Sequence, residues 1–436
     1  MKPDIKSIDV ITLGCSKNLV DSEFLMRQFK ASGLKVAHDP ENPVGDVAII
    51  NTCGFIGDAK EESIDMILQF AEAKKQGKIK KLIVMGCLSE RYLDQLGSEI
   101  PEVDKFYGKF DWQKIVEDLG AKYRYDLLHD RSLTTPTHYA YLKISEGCNR
   151  MCSYCAIPIM TGKHKSKSFE TLIDETKRLV DSGVKEIQVI AQDLSYYGLD
   201  LYKELKLPQL IDQLAQVQGV EWLRLHYAYP ANFPFDILKV MNDHPNVCNY
   251  LDLALQHISN PMLTKMRRNI TKAETYGLIN RIRKEVPNIH LRTTLITGHP
   301  GETEADFLEQ LDFVREMRFE RLGVFPYSHE DDTYAFINYK DDVPDEIKQE
   351  RADIIMEEQN IISAQLNNDK IGKEFKVIID RVEDDFFVGR TEYDSPEVDQ
   401  EVLVVTNGEA LKIGNFYNVK ITGAEDYDLI AKYEGK

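Results

Sequence analysis

Short apolar runs and helix-spaced segments take turns along the first part of the chain. Val10–Leu13, Val47–Ile50 and Leu82–Met85 are compact and rich in branched residues, as buried strands are. The segments between them, such as Asp21–Lys30 and Glu61–Lys74, repeat their apolar residues at helical intervals. Strands alternating with helices predict a parallel sheet covered by helices. A polar, proline-containing stretch from Asp130 to Pro136 then marks a linker.

Six further strands are predicted beyond it: Tyr139–Ser145, Glu186–Ala191, Trp222–Tyr227, Tyr250–Leu255, His290–Ile296 and Arg321–Tyr327. Helical patterns separate them. Ser168–Asp181 is ended by Gly183, and Asp306–Arg315 sets Phe307, Leu311 and Val314 on one face. Six strand–helix units predict a partial barrel with its chemistry at the carboxyl ends of the strands. Pro344–Asn368 reads as a long helix leading out of it. From about Gly372 the period falls to two, and Phe375–Ile379, Phe386–Gly389, Val402–Val405, Tyr417–Ile421 and Leu429–Tyr433 predict a small antiparallel β-barrel of the OB-like kind. The expected fold class is α/β: an N-terminal open parallel α/β domain, a central partial (βα)6 barrel and a C-terminal β-barrel.

Hydrophobic content of 43% and charged content of 29% are ordinary for globular domains, and they leave this picture unchanged. No apolar run approaches the ~20 residues that a membrane span needs, so no membrane partner is expected. Met1–Asp9 is charged and carries no signal-peptide pattern, which predicts a cytoplasmic location. The net charge of −18 counts against a phosphate backbone as partner and favours a basic protein.

Seven cysteines in a reducing compartment point to metal or redox chemistry rather than disulfides. Cys148, Cys152 and Cys155 follow the first barrel strand on one short loop. Three thiolates so placed can hold three irons of a 4Fe-4S cube and leave the fourth iron open to a small molecule. The alternative is a zinc site completed by His164. Cys15, Cys53 and Cys87 are far apart in sequence, yet each follows an apolar strand. The carboxyl ends of neighbouring parallel strands face one crevice, so these thiols are expected to converge, with Gly14, Gly54 and Gly86 easing the turns. Here the alternative is three small buried hydrophobes. Cys248 has no partner at ligand spacing and is expected in the core.

On these residues the chain resembles the radical S-adenosylmethionine (SAM) methylthiotransferases over essentially its full length. Three motifs are similar to those of the branch that modifies an aspartate of ribosomal protein S12, rather than the branch that modifies adenosine in tRNA: Thr12-Leu-Gly-Cys-Ser-Lys-Asn-Leu-Val-Asp-Ser-Glu23, Tyr250-Leu-Asp-Leu-Ala-Leu-Gln-His257 and Gly389-Arg-Thr-Glu-Tyr-Asp-Ser-Pro-Glu-Val-Asp399. The resemblance implies an N-terminal methylthiotransferase domain over 6–125 with an auxiliary cluster on Cys15, Cys53 and Cys87. It implies a radical SAM core over 134–366 with its cluster on Cys148, Cys152 and Cys155, and a substrate-engaging TRAM domain over 368–436. It further implies two 4Fe-4S clusters, two SAM molecules per methylthio group added to the aspartate β-carbon, and a one-electron donor such as flavodoxin or ferredoxin. The partner is S12, free or in the small ribosomal subunit. The chain departs from the family at Thr161-Gly162 and Ser166-Lys-Ser168, past the cluster ligands.

The candidate SAM contacts are Tyr154, against the adenine or as a core aromatic; Gln192 and Asp193, on SAM polar groups or as a cap; and Gly298 and Glu302 of a glycine loop. Thr303 with Asp306 is better read as a helix cap, and His257 and His299 as structural. From Gly372 to Lys436 there are 8 Lys and Arg against 15 Asp and Glu, a balance of −7. Direct tRNA binding is not expected of such a module. Glu383-Asp-Asp385 and the acids Glu392, Asp394, Glu397, Asp399 and Glu401 suit a basic ribosomal protein, or else form a solvated acidic surface. A zinc-stabilised binding protein without catalysis is the rival from another class.

Overall fold

The structure is a computed structural model and describes residues 5–406 and 408–435. The first residues of the opening segment, Asn407 and Lys436 lie outside it. Five parallel strands form the N-terminal sheet, in the order Lys35–His38, Ser7–Thr12, Val47–Thr52, Lys81–Gly86, Lys105–Phe106. The three predicted strands are its centre, where Ile8, Val10, Ile49, Ile50, Leu82 and Val84 are buried. Both edge strands escape the apolar pattern because edges are short and half-solvated.

The central sheet runs Tyr139–Lys143, Glu186–Ile190, Trp222–Ala228, Val247–Gln256, His290–Thr297, Arg321–Pro326, all parallel and in sequence order. Its first and last strands do not pair, so the barrel stays open. Alternate residues such as Ile187, Val189, Leu223 and Leu225 meet the helices in the main core. Their neighbours Glu186, Gln188, Arg224 and His226 line the concave face. Helix Glu304–Met317 starts on the expected cap, a reciprocal pair of Thr303 and Asp306, and buries Phe307, Leu311 and Val314. Cys248 is buried in the core.

Helix Asp345–Asn368 leads to a closed barrel of Glu374–Glu383, Phe386–Thr391, Val402–Val405, Phe416–Ala424 and Leu429–Lys432. One pair, Val402–Val405 with Leu429–Lys432, is parallel and completes the closure. Among the described residues no helix is long and apolar enough to cross a membrane.

This small barrel seals the base of the large one, at the amino ends of its strands. Glu186 lies between Arg224 and Arg390, each 2.8 Å away, with all three side chains buried. Arg321 Nε donates to Asp394 at 3.0 Å, Arg292 reaches Asp399 at 2.5 Å, and the hydroxyls of Tyr250 and Tyr139 donate to Asp399 and Glu397. The expected acidic face therefore needs correction. Asp394 and Asp399 are turned inward as partners of barrel arginines and a tyrosine, and Glu397 accepts from Tyr139 at the rim, while Glu383, Asp384 and Asp385 remain exposed. A carboxylate taken out of water persists where a guanidinium or hydroxyl answers it, and the barrel base supplies both.

Candidate active site

The first cysteine trio forms at the carboxyl ends of three adjacent N-terminal strands. Gly14, at φ +89°, lets the chain turn so tightly that a Cβ there would lie 2.8 Å from Cys53 Sγ. A Cβ on Gly54 would meet the Leu88 backbone at 2.7 Å, so the loops after the second and third of these strands touch. Asn18 ties them together: its amide donates to the carbonyls of Leu13 and Thr52, and its Oδ1 accepts from Cys87 Sγ at 3.6 Å. Cys15 caps helix Ser16–Ala31 and Cys87 opens helix Cys87–Glu99, so two thiols sit at the positive ends of helices. Burial pushes the Cys87 thiol up to about 12, with Lys109 pulling the other way and Cys15 and Cys53 adding to the rise. Lys109 is itself buried, donating to Asn18 Oδ1 at 3.0 Å and Asp21 Oδ2 at 2.9 Å. Burial opposes its charge, but Asp21 holds it well above the usual lysine value.

The second trio lies on the loop that leaves strand Tyr139–Lys143. Burial raises Cys155 strongly and Cys148 up to about 12, and the neighbouring cysteine sulfurs add to both. Cys152 accepts from Arg268 Nη1 at 3.1 Å; the same nitrogen lies 3.1 Å from the Tyr154 hydroxyl. Neither Arg268 nor Tyr229, whose ring lies 4.1 Å beneath that guanidinium, was evident from sequence, because they come from a later loop and strand end with no spacing relation to the cysteines.

The trios face each other across one seam. Cys87 packs with Ala156, Met160 and Ile157, just past Cys155. The N-terminal domain is clamped over the barrel mouth on both sides: Asp21 joins Lys109 to the barrel's Lys143, and Glu330 receives Lys60 and Arg91, each at 2.8 Å. Lys17 crosses the seam, its Nζ 3.1 Å from the centroid of the Tyr227 ring at the end of a barrel strand. Below, burial pushes the Asp252 carboxyl up to about 6, against the pull of Arg292 and Lys17.

Each trio supplies three thiols without a fourth donor among the described residues, a set that could hold a cube. Among the described residues no three His, Cys, Asp or Glu side chains converge on the point a single ion would occupy. A zinc site needs four such donors around one centre, whereas a cube spreads its thiolates over separate irons. His164 does not join its neighbouring cysteines: its Nε2 lies 3.2 Å from Ser166 Oγ and its ring faces Tyr196.

The remaining candidates divide. Tyr154 lies beside Cys152 and Arg268, packed among Met266, Ile296 and Tyr327. Gln192 donates to Glu146 at 3.3 Å, and its Oε1 is buried without a hydrogen-bond partner among the described residues. Asp193 caps the turn Leu194–Tyr196, accepting from Ser195 N at 2.9 Å, and pairs with Arg150 at 2.7 Å. Gly298 and Glu302 make contacts within the fold. The Gly298 amide donates to Glu302 Oε2 at 2.9 Å, Glu302 Oε1 pairs with Arg351 at 2.8 Å, and Lys348 fills the space over Gly298. His257 accepts from the amides of Ile258 and Ser259, a structural use.

Comparison with known proteins agrees with this layout. Residues 7–108 match the family described as UPF0004, 142–314 the Radical SAM superfamily and 371–433 the TRAM domain. The solved structure of TsrM from Kitasatospora setae, a radical SAM methyltransferase, shares the fold with a TM-score of 0.54 and 12% identity, over 73% of this chain and 72% of that one. The ribosomal protein uS12 methylthiotransferase RimO of Phocaeicola vulgatus is 63% identical over 98% of both chains, and that of Bacteroides thetaiotaomicron 62% identical over 99% of both. With cysteines of its barrel loop and of its N-terminal strand ends gathered at one mouth, and with identity of this degree along its whole length, the chain belongs to the RimO family of radical SAM methylthiotransferases.

Proposed function

We propose that this chain installs a methylthio group on the β-carbon of an aspartate in ribosomal protein uS12, with SAM and two 4Fe-4S clusters, in the cytoplasm. The observation that carries the reading is the seam itself: two thiol trios on opposite walls, joined through the packing of Cys87 on Ala156 and Met160. Cys148, Cys152 and Cys155 would hold one cube and Cys15, Cys53 and Cys87 the other. When bound, these groups supply the radical that opens a carbon–hydrogen bond and the sulfur and methyl that replace the hydrogen.

The chain's own residues position and shield. Arg268 sets a buried positive charge against the Cys152 sulfur, and Lys109 sets one beside Cys87, where it partly opposes the rise that burial imposes on that thiol. Tyr154 and Gln192, whose buried Oε1 has no hydrogen-bond partner among the described residues, would recognise a SAM molecule at the barrel cube. Asp193 holds Arg150 at the same strand end. The C-terminal module, with a balance of −7 and exposed Glu383, Asp384 and Asp385, suits a basic protein and not direct tRNA binding. Electrons would come from a small carrier such as flavodoxin or ferredoxin.

Anaerobic reconstitution with iron and sulfide, followed by incubation with SAM, a reductant and uS12, tests the proposal. Intact-mass analysis is expected to show one methylthio group replacing one hydrogen on uS12. No increment there, with one appearing on tRNA, would assign the chemistry to nucleic acid instead.

A further inference from the structure

We propose that Lys17 holds the side-chain carboxylate of the target aspartate and so selects an acidic side chain at the barrel mouth, an inference that rests on the function proposed above. Lys17 stands two residues beyond Cys15, at the start of helix Ser16–Ala31, and reaches from the N-terminal domain to Tyr227 at the carboxyl end of strand Trp222–Ala228. It thus bridges the wall that carries one thiol trio and the barrel that carries the other. A carbon that exchanges hydrogen for sulfur between those walls must lie beside it.

The other cations of this seam are already engaged. Lys109 and Lys143 meet Asp21, Arg150 meets Asp193, Arg268 meets Cys152 and the Ala254 carbonyl, and Lys60 and Arg91 meet Glu330. Lys17 forms no hydrogen bond or ion pair among the described residues; its contact is the face of the Tyr227 ring. Cation–π contact partly offsets the loss of water around an ammonium while leaving N–H donors unused. Asp252 and His226 feel its charge from below, yet neither pairs with it. Tyr227 is held for this role by its backbone: φ is +65°, and its amide donates to Asp252 Oδ2 at 3.3 Å.

A half-buried ammonium with free donors and no counter-charge is complementary to a carboxylate. For the reaction this does two things. It fixes the carboxylate, and hence the adjacent β-carbon, relative to both trios. It also makes the site discriminate against side chains of similar shape without the charge.

The test uses the reconstituted full-length enzyme and two uS12 peptides, one with the target aspartate and one with asparagine in its place. Binding by fluorescence anisotropy and kcat/KM for methylthiolation are measured for the wild type, Lys17→Met, Lys17→Gln and Lys17→Arg. The wild type is expected to prefer the aspartate peptide by about 100-fold. In Lys17→Met and Lys17→Gln that preference should collapse toward unity, through loss on the aspartate peptide, while Lys17→Arg restores part of it. Iron content and visible absorption of the two neutral variants should match the wild type. The inference is overturned if the neutral variants keep the preference, lose both peptides equally, or lose iron. Should the wild type itself modify neither uS12 nor the aspartate peptide, the proposed function fails and not merely the role of Lys17.

Discussion

At the base of the partial barrel, Glu186 is clasped by Arg224 and Arg390, Asp394 by Arg321, and Asp399 by Arg292 and the Tyr250 hydroxyl. At the mouth, some polar groups have no partner among the described residues: the Lys17 ammonium, which lies on an aromatic face, and the buried Oε1 of Gln192. Both ends take charge out of water and pair their buried carboxylates, but the mouth also holds an ammonium, Lys17, without a carboxylate opposite it among the described residues. An answered charge is part of the scaffold, whereas an unanswered one costs free energy that a ligand is there to recover. An ammonium held without a counter-charge among the described residues, more than burial, separates the end that does chemistry from the end that joins two domains.

The comparison breaks most visibly if a thiol is removed at the mouth. Cys152→Ala is expected to lower methylthiolation by at least a thousandfold and to remove about one cube's share of iron, by activity and iron assays. The reverse pattern is expected at the base. Glu186→Gln leaves Arg224 and Arg390 buried against a neutral amide and should cost about 3–5 kcal/mol in urea unfolding of the metal-free protein. Retention of full stability by that variant would show the base pairing to be dispensable.

A smaller effect comes from pH. Asp394 is fully buried; burial opposes its ionisation, but Arg321 and Lys370 hold its carboxyl down to about 2, below the ordinary value of 3.8. A depressed carboxylate contributes stability that is complete above the unfolded value and is lost as pH falls through the folded one. About 2 kcal/mol should therefore disappear between about pH 4 and pH 2. Acid unfolding of Asp394→Asn should lack that part of the slope. The smallest changes sharpen the contrast. Glu401→Gln opens a solvent-exposed pair with Arg381 and should shift the unfolding free energy by less than about 1 kcal/mol. Lys17→Met, which removes a charge with no ion-pair partner among the described residues, should do no more than that to stability, whatever it does to substrate choice.

Much of this was legible along the chain. The central strands of the N-terminal sheet, the six barrel strands and the period-two module show in the apolar pattern because their burial is regular, and Thr303 with Asp306 showed as a cap because capping is local. The convergence of Cys15, Cys53 and Cys87 followed from one rule about the carboxyl ends of parallel strands. The surroundings of the glycine loop were not legible: Gly298 and Glu302 have the residue types of a ligand loop, and Arg351 and Lys348 from the helix leading out of the barrel pack against them. The acidic stretch from Glu392 to Glu401 misled in part. Its composition is that of an exposed recognition surface, yet Asp394 and Asp399 pair with arginines of the barrel base while Glu397 and Glu401 stay open to solvent.

By itself the amino-acid order determined which segments become strands and helices and which family the chain belongs to, since these depend on periodicity and on short motifs. Only the tertiary structure decided which charges are answered and which are left open, because Asp394 with Arg321, Arg268 with Cys152 and Lys17 over Tyr227 are pairings between segments far apart in the chain. The worth of a charge lies in what stands opposite it, and that is a property of the folded surfaces in contact rather than of any residue's neighbours in sequence.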